Sequence, residues 1–217
     1  MPSARTRIKV CGITLAEDGL AAVACGADAL GFILYARSPR YISAEHASII
    51  CRQLPPFVDR VGVLVNEDIE TAVESVNIAG FSYLQLHGSE SAGYCRELKK
   101  RLPHLKIIKA FRVGEESRPE EFTPYEQCAD GFLLDTYVKG AKGGTGEQFD
   151  WSIPASLNLS RPVILAGGLK SENIIRAISA VHPYAVDINS GVEIEPGKKD
   201  HGMLRRIMLQ IREATSL

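Results

Sequence analysis

Residues 162–193 read PVILAGGLKSENIIRAISAVHPYAVDINSGVE, and this stretch holds one complete repeat of a parallel sheet. The apolar run PVILAG (162–167) ends in a glycine turn, after which Ser171-Glu172-Asn173 feeds Ile174, Ile175 and Ile178. A serine hydroxyl can accept the unpaired amides of a first helical turn, so Ser171 is a cap candidate for a helix over 171–181. A second apolar run, YAVDINS (184–190), closes the unit. Short β-branched runs joined by helix-length segments are the pattern of βα units, whose strands are buried on both faces.

The same unit recurs outward from this stretch. IKVC (8–11), ALGFIL (29–34), VDRVGVLV (58–65), YLQLH (83–87), KIIKAF (106–111) and GFLLDT (131–136) bring the number of runs to eight. Eight units, none reading as an edge strand, favour a closed (β/α)8 barrel over a doubly wound sheet. Asn66 is a cap candidate for 66–78, with Ile69, Val73 and Val76 along one face, and Ser89 is one for 89–102. Leu204, Ile207, Met208 and Ile211 give 200–214 the spacing of a closing helix. Pro119 and Pro124 bracket a short candidate around 120–127, and the next helix shrinks to a turn near 148–152. A short or irregular helix is therefore expected in the fifth and sixth units. GADALGFIL (26–34) is echoed four units later by CADGFLLD (128–135). With no low-complexity tract or composition shift, residues 1–217 are expected to form a single domain.

Composition narrows the function classes. Lys plus Arg total 25 against 26 Asp plus Glu, so no global positive field draws the chain to nucleic acid or to an anionic membrane. Cys11, Cys25, Cys51, Cys95 and Cys128 are scattered without a CxxC pair, which suits free thiols in a reducing compartment. MPSARTR leads directly into IKVC with no apolar signal segment, and no run approaches the ~20 apolar residues of a membrane helix. The expectation is a cytoplasmic protein acting on a small molecule, with no obligate protein partner implied. His46, His87, His104, His182 and His201 form no HxH or HExxH pattern, and no GxGxxG follows the first strand, so neither a metal nor a cofactor is expected.

In a parallel barrel the chemistry sits at the C-terminal strand ends. Cys11, Asn66, His87, Asp135 and Asp187 fall at or near such ends and outline one polar pocket over an apolar core. Cys11 is a candidate general base if nearby positive groups lower its pKa; a buried small hydrophobe is the alternative. Asp135 closes the wholly apolar 131–134, where desolvation would favour the protonated acid, and the glycine-rich KGAKGGTG (139–146) follows it as a close-approach loop. Gly167-Gly168 after strand seven and Ser190-Gly191 after strand eight are candidate phosphate turns, and their pairing carries more weight than either alone. PGKKD (196–200) adds charge nearby, with Lys198 and Lys199 also readable as solvated surface. Arg37 and Arg40 flank Ser38-Pro39, where a guanidinium could hold a substrate carboxylate. His87 could contact a ring or serve structure, and Trp151 reads as helix packing.

These residues lie in motifs resembling the phosphoribosylanthranilate isomerase family of tryptophan biosynthesis. The resemblance covers KVCGIT (9–14), GADALGF (26–32), SPRYIS (38–43), VGVLVN (61–66), LQLHG (84–88), LLDT (133–136), GGTGEQFDW (143–151), LAGGL (165–169) and VDINSGVE followed by PGKKD. It implies a cofactor-free Amadori rearrangement in a (β/α)8 barrel, with Cys11 as general base and Asp135 as general acid. It also implies Arg40 near the anthranilate carboxylate, His87 towards the carboxylate or ring, and Gly167, Gly168, Ser190 and Gly191 around the phosphate. Asp187 takes a supporting polar role. Two rivals remain at this point: another phosphate-binding barrel, such as the ribonucleotide isomerase of histidine synthesis, and a non-catalytic metabolite-binding barrel. The first has no obvious use for Cys11, and the second leaves Cys11 and Asp135 without a task.

Overall fold

The computed structural model describes residues 5–136 and 151–215. Eight strands pair in chain order and close on themselves: β1 (Arg7–Val10), β2 (Ala29–Ile33), β3 (Asp59–Leu64), β4 (Tyr83–Leu86), β5 (Lys106–Arg112), β6 (Gly131–Asp135), β7 (Val163–Ala166) and β8 (Ala185–Ile188). Every neighbouring pair is parallel, and β1 meets β8 with Lys9 opposite Asp187. The fold is thus the (β/α)8 barrel that the eight runs imply.

Alternation along each strand makes two cores. Val61, Ile108, Ala110, Leu133, Ile164, Ala166 and Ala185 pack inside the barrel. Residues of opposite parity, among them Ile8, Leu30, Phe32, Leu84, Leu86, Ile107, Leu165 and Val186, are buried beneath the helices. The echoed segments do the same work on opposite sides. Asp28 and Asp130 each precede a strand and accept an amide of the strand before, Ile8 N at 2.9 Å and Ile107 N at 2.8 Å. Each also returns its own amide to the carbonyl of that same residue.

The helices are α1 (Ala16–Ala24), α2 (Ala44–Cys51), α3 (Ile69–Ala79), α4 (Ala92–Arg101), α5 (Ser152–Ser156), α6 (Ile174–Val181) and α7 (His201–Thr215). Three expected caps are displaced. Asp68 caps α3 through Thr71 N and Ser91 caps α4 through Tyr94 N, rather than Asn66 and Ser89. Those two residues bond each other instead: Asn66 Oδ1 accepts Ser89 N at 2.7 Å and Ser89 Oγ at 3.0 Å, tying the loops after β3 and β4 together. Ser171 falls in the turn before α6, where Asn173 Oδ1 accepts Lys170 N.

The fifth unit has no α-helix, only 3-10 turns at Pro119–Glu121 and Thr123–Tyr125 with a proline near the start of each. The sixth holds the five-residue α5, just beyond the turn expected at 148–152, of which residues 148–150 lie outside the described residues. The loop after β8 carries a 3-10 turn (Ser190–Val192) and an antiparallel hairpin of β9 (Glu193–Glu195) and β10 (Lys198–Lys199), which the sequence pattern did not foretell. Asp18 of α1 holds this hairpin, accepting Lys199 N at 2.8 Å and bonding His201 Nε2 at 2.7 Å. Among the described residues, no helix is long and apolar enough to cross a membrane.

Candidate active site

A cavity of about 360 Å³ opens at the C-terminal strand ends, within the range of roughly 300–1,000 Å³ usual for small-molecule sites. Cys11, Arg40, His87, Asp135 and Asp187 line it, as do Gly167, Gly168 and Ser190. Gly191 lies just behind Ser190 in the same turn. Asn66 is drawn into the loop stitch described above, and Arg37 is exposed away from the lining. Trp151 packs against the main core. The glycine-rich segment 139–146 lies outside the described residues.

Cys11 stands where β1 ends, its amide bonded to Ile188 O of β8 at 2.8 Å. Lys9 points inward from the same face of β1, two residues earlier, and its Nζ donates to Asp187 Oδ2 at 2.8 Å. Lys9 Nζ and Cys11 Sγ converge over Gly31, where an added Cβ would lie 2.9 Å and 2.7 Å from them. On the other side, Lys199 Nζ donates to Asn189 Oδ1 at 2.9 Å and Glu193 Oε1 at 2.8 Å. Burial pushes the Cys11 thiol up, and Asp187 adds to it; Lys9 and Lys199 pull the other way without cancelling the effect. The expected lowering by neighbouring cations is therefore present but outweighed by desolvation. Burial lowers Lys199, whereas for Lys9 the attraction of Asp187 and Cys11 overcomes it and raises the ammonium.

Asp135 ends β6 with its side chain 21% exposed, so it is less desolvated than its apolar strand suggests. Its Oδ2 lies 3.5 Å from His87 Nε2, while His87 Nδ1 is 2.9 Å from Gln85 Nε2. The two ring nitrogens of His87 are thus held between Gln85 of β4 and Asp135 of β6. Gln85 is buried inside β4, and its Oε1 has no hydrogen-bond partner among the described residues.

The two glycine turns meet. Gly167 and Gly168 both have positive φ, 94° and 63°, which glycine adopts at little cost. Gly191 packs so closely on the Leu169 carbonyl that any Cβ there would collide with it. The turns after β7 and β8 therefore sit backbone against backbone beside the cavity.

Arg40 is less available than its loop position implies. Its Nε lies 3.0 Å from both oxygens of Glu193, and its Nη2 is 2.7 Å from Oε2. One edge of the guanidinium is thus occupied within the chain. Arg40 and Lys199 hold the Glu193 carboxyl below its ordinary value despite burial. Lys199 is itself buried, which corrects the surface reading for it; Lys198 is exposed.

Sequence reasoning missed Lys9, Gln85, Asn189 and Glu193, and left Lys199 between added site charge and solvated surface. For Lys9 and Gln85 a signal was available: each stands two residues before a singled-out strand-end residue, and so shares its face. Nothing local pointed to the Arg40–Glu193 pair, which spans 153 residues. Among the described residues, no group of three or more His, Cys, Asp or Glu side chains could hold a metal ion.

Residues 8–210 match the family model for N-(5'phosphoribosyl)anthranilate (PRA) isomerase. An N-(5'-phosphoribosyl)anthranilate isomerase of Pelobacter propionicus is 44% identical over 210 residues, covering 97% of both chains. The crystal structure of phosphoribosyl anthranilate isomerase from Thermotoga maritima superposes with a TM-score of 0.86 at 42% identity, over 98% of this chain and 100% of that one. A structure of such an enzyme in complex with reduced 1-(o-carboxyphenylamino)-1-deoxyribulose 5-phosphate gives a TM-score of 0.82 at 41% identity, with coverage of 98% and 100%.

Proposed function

The chain belongs to the phosphoribosylanthranilate isomerase family, and from that premise we propose how its residues divide the work. It is an enzyme of tryptophan biosynthesis that isomerises N-(5-phosphoribosyl)anthranilate to 1-(2-carboxyphenylamino)-1-deoxyribulose 5-phosphate. Asp135 is the general acid: it protonates the ribose ring oxygen, the C1–O bond breaks, and the anthranilate nitrogen forms a protonated Schiff base. Cys11 is the general base and removes the C2 proton, leaving an enolamine that tautomerises to the ketose.

One observation carries this assignment. A sulfur from β1 and a carboxyl from β6, on opposite sides of the barrel, line the same cavity, with the two glycine turns along its wall. The reduced product analogue carried by the similar enzyme has the groups such a cavity suits: a phosphate, an opened sugar chain and a ring carboxylate. We place the phosphate at Gly167, Gly168, Ser190 and Gly191, whose amides need no charged side chain to favour an anion. The carboxylate meets the Arg40 edge that Glu193 leaves, with His87 beside the ring. Asp187 supports the sugar end, one carboxylate oxygen on Lys9 and the other, Oδ1, without a hydrogen-bond partner among the described residues. Both steps are proton transfers between side chains and substrate, so the scheme calls for no cofactor. The free thiols fit a cytoplasmic setting.

The test is to generate the fluorescent substrate in situ and follow its enzyme-dependent loss, with the product identified. Cys11→Ala and Asp135→Asn, each folded, are expected to lower kcat by at least ~100-fold. No turnover by the folded parent protein would reject the function, and near-parental rates in either variant would reject its assigned role.

A further inference from the structure

Two buried charge groups flank Cys11, and together they do not balance. Lys9 is paired with Asp187 on one side, and on the other Lys199 and Arg40 share Glu193. That makes three cations and two carboxylates in two groups about the sulfur. Lys9, Asp187 and Lys199 act on Cys11 directly, and Gly31 of β2 faces it without a side chain. A thiolate at Cys11 would neutralise the surplus in the substrate-free site; Arg40, 19% exposed and lining the cavity, keeps an open edge for the substrate carboxylate, while Lys9, 4% exposed, stays against the sulfur.

We propose that Lys9 is a positioning residue for proton abstraction: its ammonium, shared between Asp187 and Cys11, is the counter-charge that lets Cys11 act as a thiolate. Lys9 is absent from the lining of the cavity and 4% exposed, so it reaches the substrate only through its neighbours. The inference rests on Cys11 as the base. In that step the C2–H bond breaks and an S–H bond forms. The freed electron pair becomes the C1–C2 double bond, while the C1–N double-bond pair returns to the iminium nitrogen. As the sulfur loses its negative charge, the Lys9 ammonium is left to Asp187 alone, which holds it in place for the next turnover. Asp187 thereby restrains the effect of Lys9, so removing each of the pair should move the sulfur in opposite directions.

The experiment measures the pH dependence of Cys11 alkylation by iodoacetamide in the substrate-free protein, with the adduct located by peptide mass. Lys9→Gln is expected to slow alkylation at pH 7 at least tenfold, as a shift of about one pH unit in midpoint requires. Asp187→Asn should speed alkylation and move the midpoint down, and Lys9→Arg should stay nearer the parent than Lys9→Gln. With substrate, Lys9→Gln should lose kcat at least ~tenfold while KM stays within about threefold, because the residue touches no substrate. A Lys9→Gln midpoint within about 0.3 pH units of the parent, or midpoints moving the same way in both variants, overturns the proposal. Should Lys9→Gln fail to fold, Asp187→Asn decides: an unchanged or raised midpoint overturns it. Alkylation needs no turnover, so a parent protein without isomerase activity whose midpoints move as expected rejects the isomerase reading and leaves the Lys9 inference standing.

Discussion

Gly191→Ala tests whether the meeting of the turns after β7 and β8 forms the phosphate site. A Cβ at residue 191 would overlap the Leu169 carbonyl oxygen and lie 3.1 Å from both Leu169 C and Lys170 Cβ. Two of these three neighbours are backbone, so no side-chain rotation relieves the clash, and the two turns must separate by roughly an ångström to restore contact at about 3.5 Å or beyond. Overpacking of this kind costs about 1–3 kcal/mol of stability, which in a chain of this size lowers Tm by roughly 3–10 °C. The larger effect falls on binding. Amides set to converge on one phosphate no longer do, and losing one hydrogen bond to a charged group costs about 1.5–3 kcal/mol, or roughly 10- to 100-fold in KM. Gly168→Ala separates strain from collision. An added Cβ there meets nothing within 4 Å, so its cost to folding is the left-handed φ of 63° alone, about 1–2 kcal/mol. The assay is steady-state loss of substrate fluorescence, with inorganic phosphate as a competing ligand. A folded Gly191→Ala protein with KM and phosphate inhibition within twofold of the parent would refute the reasoning.

Activity requires Asp135 protonated and Cys11 ionised, and a carboxyl is ordinarily the stronger acid, so the correctly protonated fraction is small and constant between the two pKa values. kcat/KM should therefore show a broad plateau rather than a narrow optimum. Its alkaline fall should lie above the ordinary thiol value of 9.0, because burial pushes Cys11 up; a fall near neutrality would contradict this. Glu193 is held below its ordinary 4.5, so its stabilisation is complete above that pH and is lost as pH falls through the lowered value. Glu193→Gln should flatten the acid limb of a stability-versus-pH curve, and an unchanged slope below pH 4.5 would count against the pairing. Lys109 Nζ is buried against Glu90 Oε2 at 3.2 Å and the carbonyls of Leu86, Gly88 and Ala110. Lys109→Met strands the Glu90 carboxylate and should cost about 3–5 kcal/mol in denaturant titration; a loss below 1 kcal/mol would argue that Glu90 is not held as described.

The strands were legible because a barrel strand is buried on both faces, so its sequence is a short apolar run whatever its neighbours are. PVILAG and YAVDINS needed no long-range information to be recognised, and all eight observed strands fall on the eight runs to within a residue or two. Helix starts were less legible because a cap candidate has competing partners. Asn66 and Ser89 have the right side chains for capping, but each finds the other across two loops, and the helices are capped two residues later by Asp68 and Ser91. For the site, Asn66 is drawn away and Gln85 and Asn189 went unread, yet Cys11, His87, Asp135 and Asp187 could be named from strand ends alone, since the barrel gathers those ends in one place. Their electrostatic setting could not. Lys199 in PGKKD looks like surface until the hairpin folds it beneath Glu193, and Arg40 looks uncommitted until residue 193 arrives beside it.

That distance in sequence has a physical consequence. Cys11 sits at the seam where the first strand meets the last, and the segment KVCGIT is built to join it: Lys9 pairs with Asp187 of β8, Cys11 N bonds Ile188 O, and Thr14 Oγ1 donates to Gly197 O. Gly12, with φ 73°, brings the backbone within reach of Asn189 and Arg40, where a Cβ would fall 2.6 Å from Asn189 Oδ1 and 2.8 Å from Arg40 Cδ. Asp135, on β6 across the barrel, takes no part in this seam. The surroundings of the acid can therefore form from neighbouring strands, whereas the base has only Lys9 from its own strand until residues 185–199 close on residues 9–14 and bring Asp187 and Lys199. A barrel left open at the β1–β8 seam would retain the sulfur, the carboxyl and Lys9, yet leave the Lys9 ammonium unheld and the sulfur without Lys199, because Asp187 and Lys199 both arrive with the final unit.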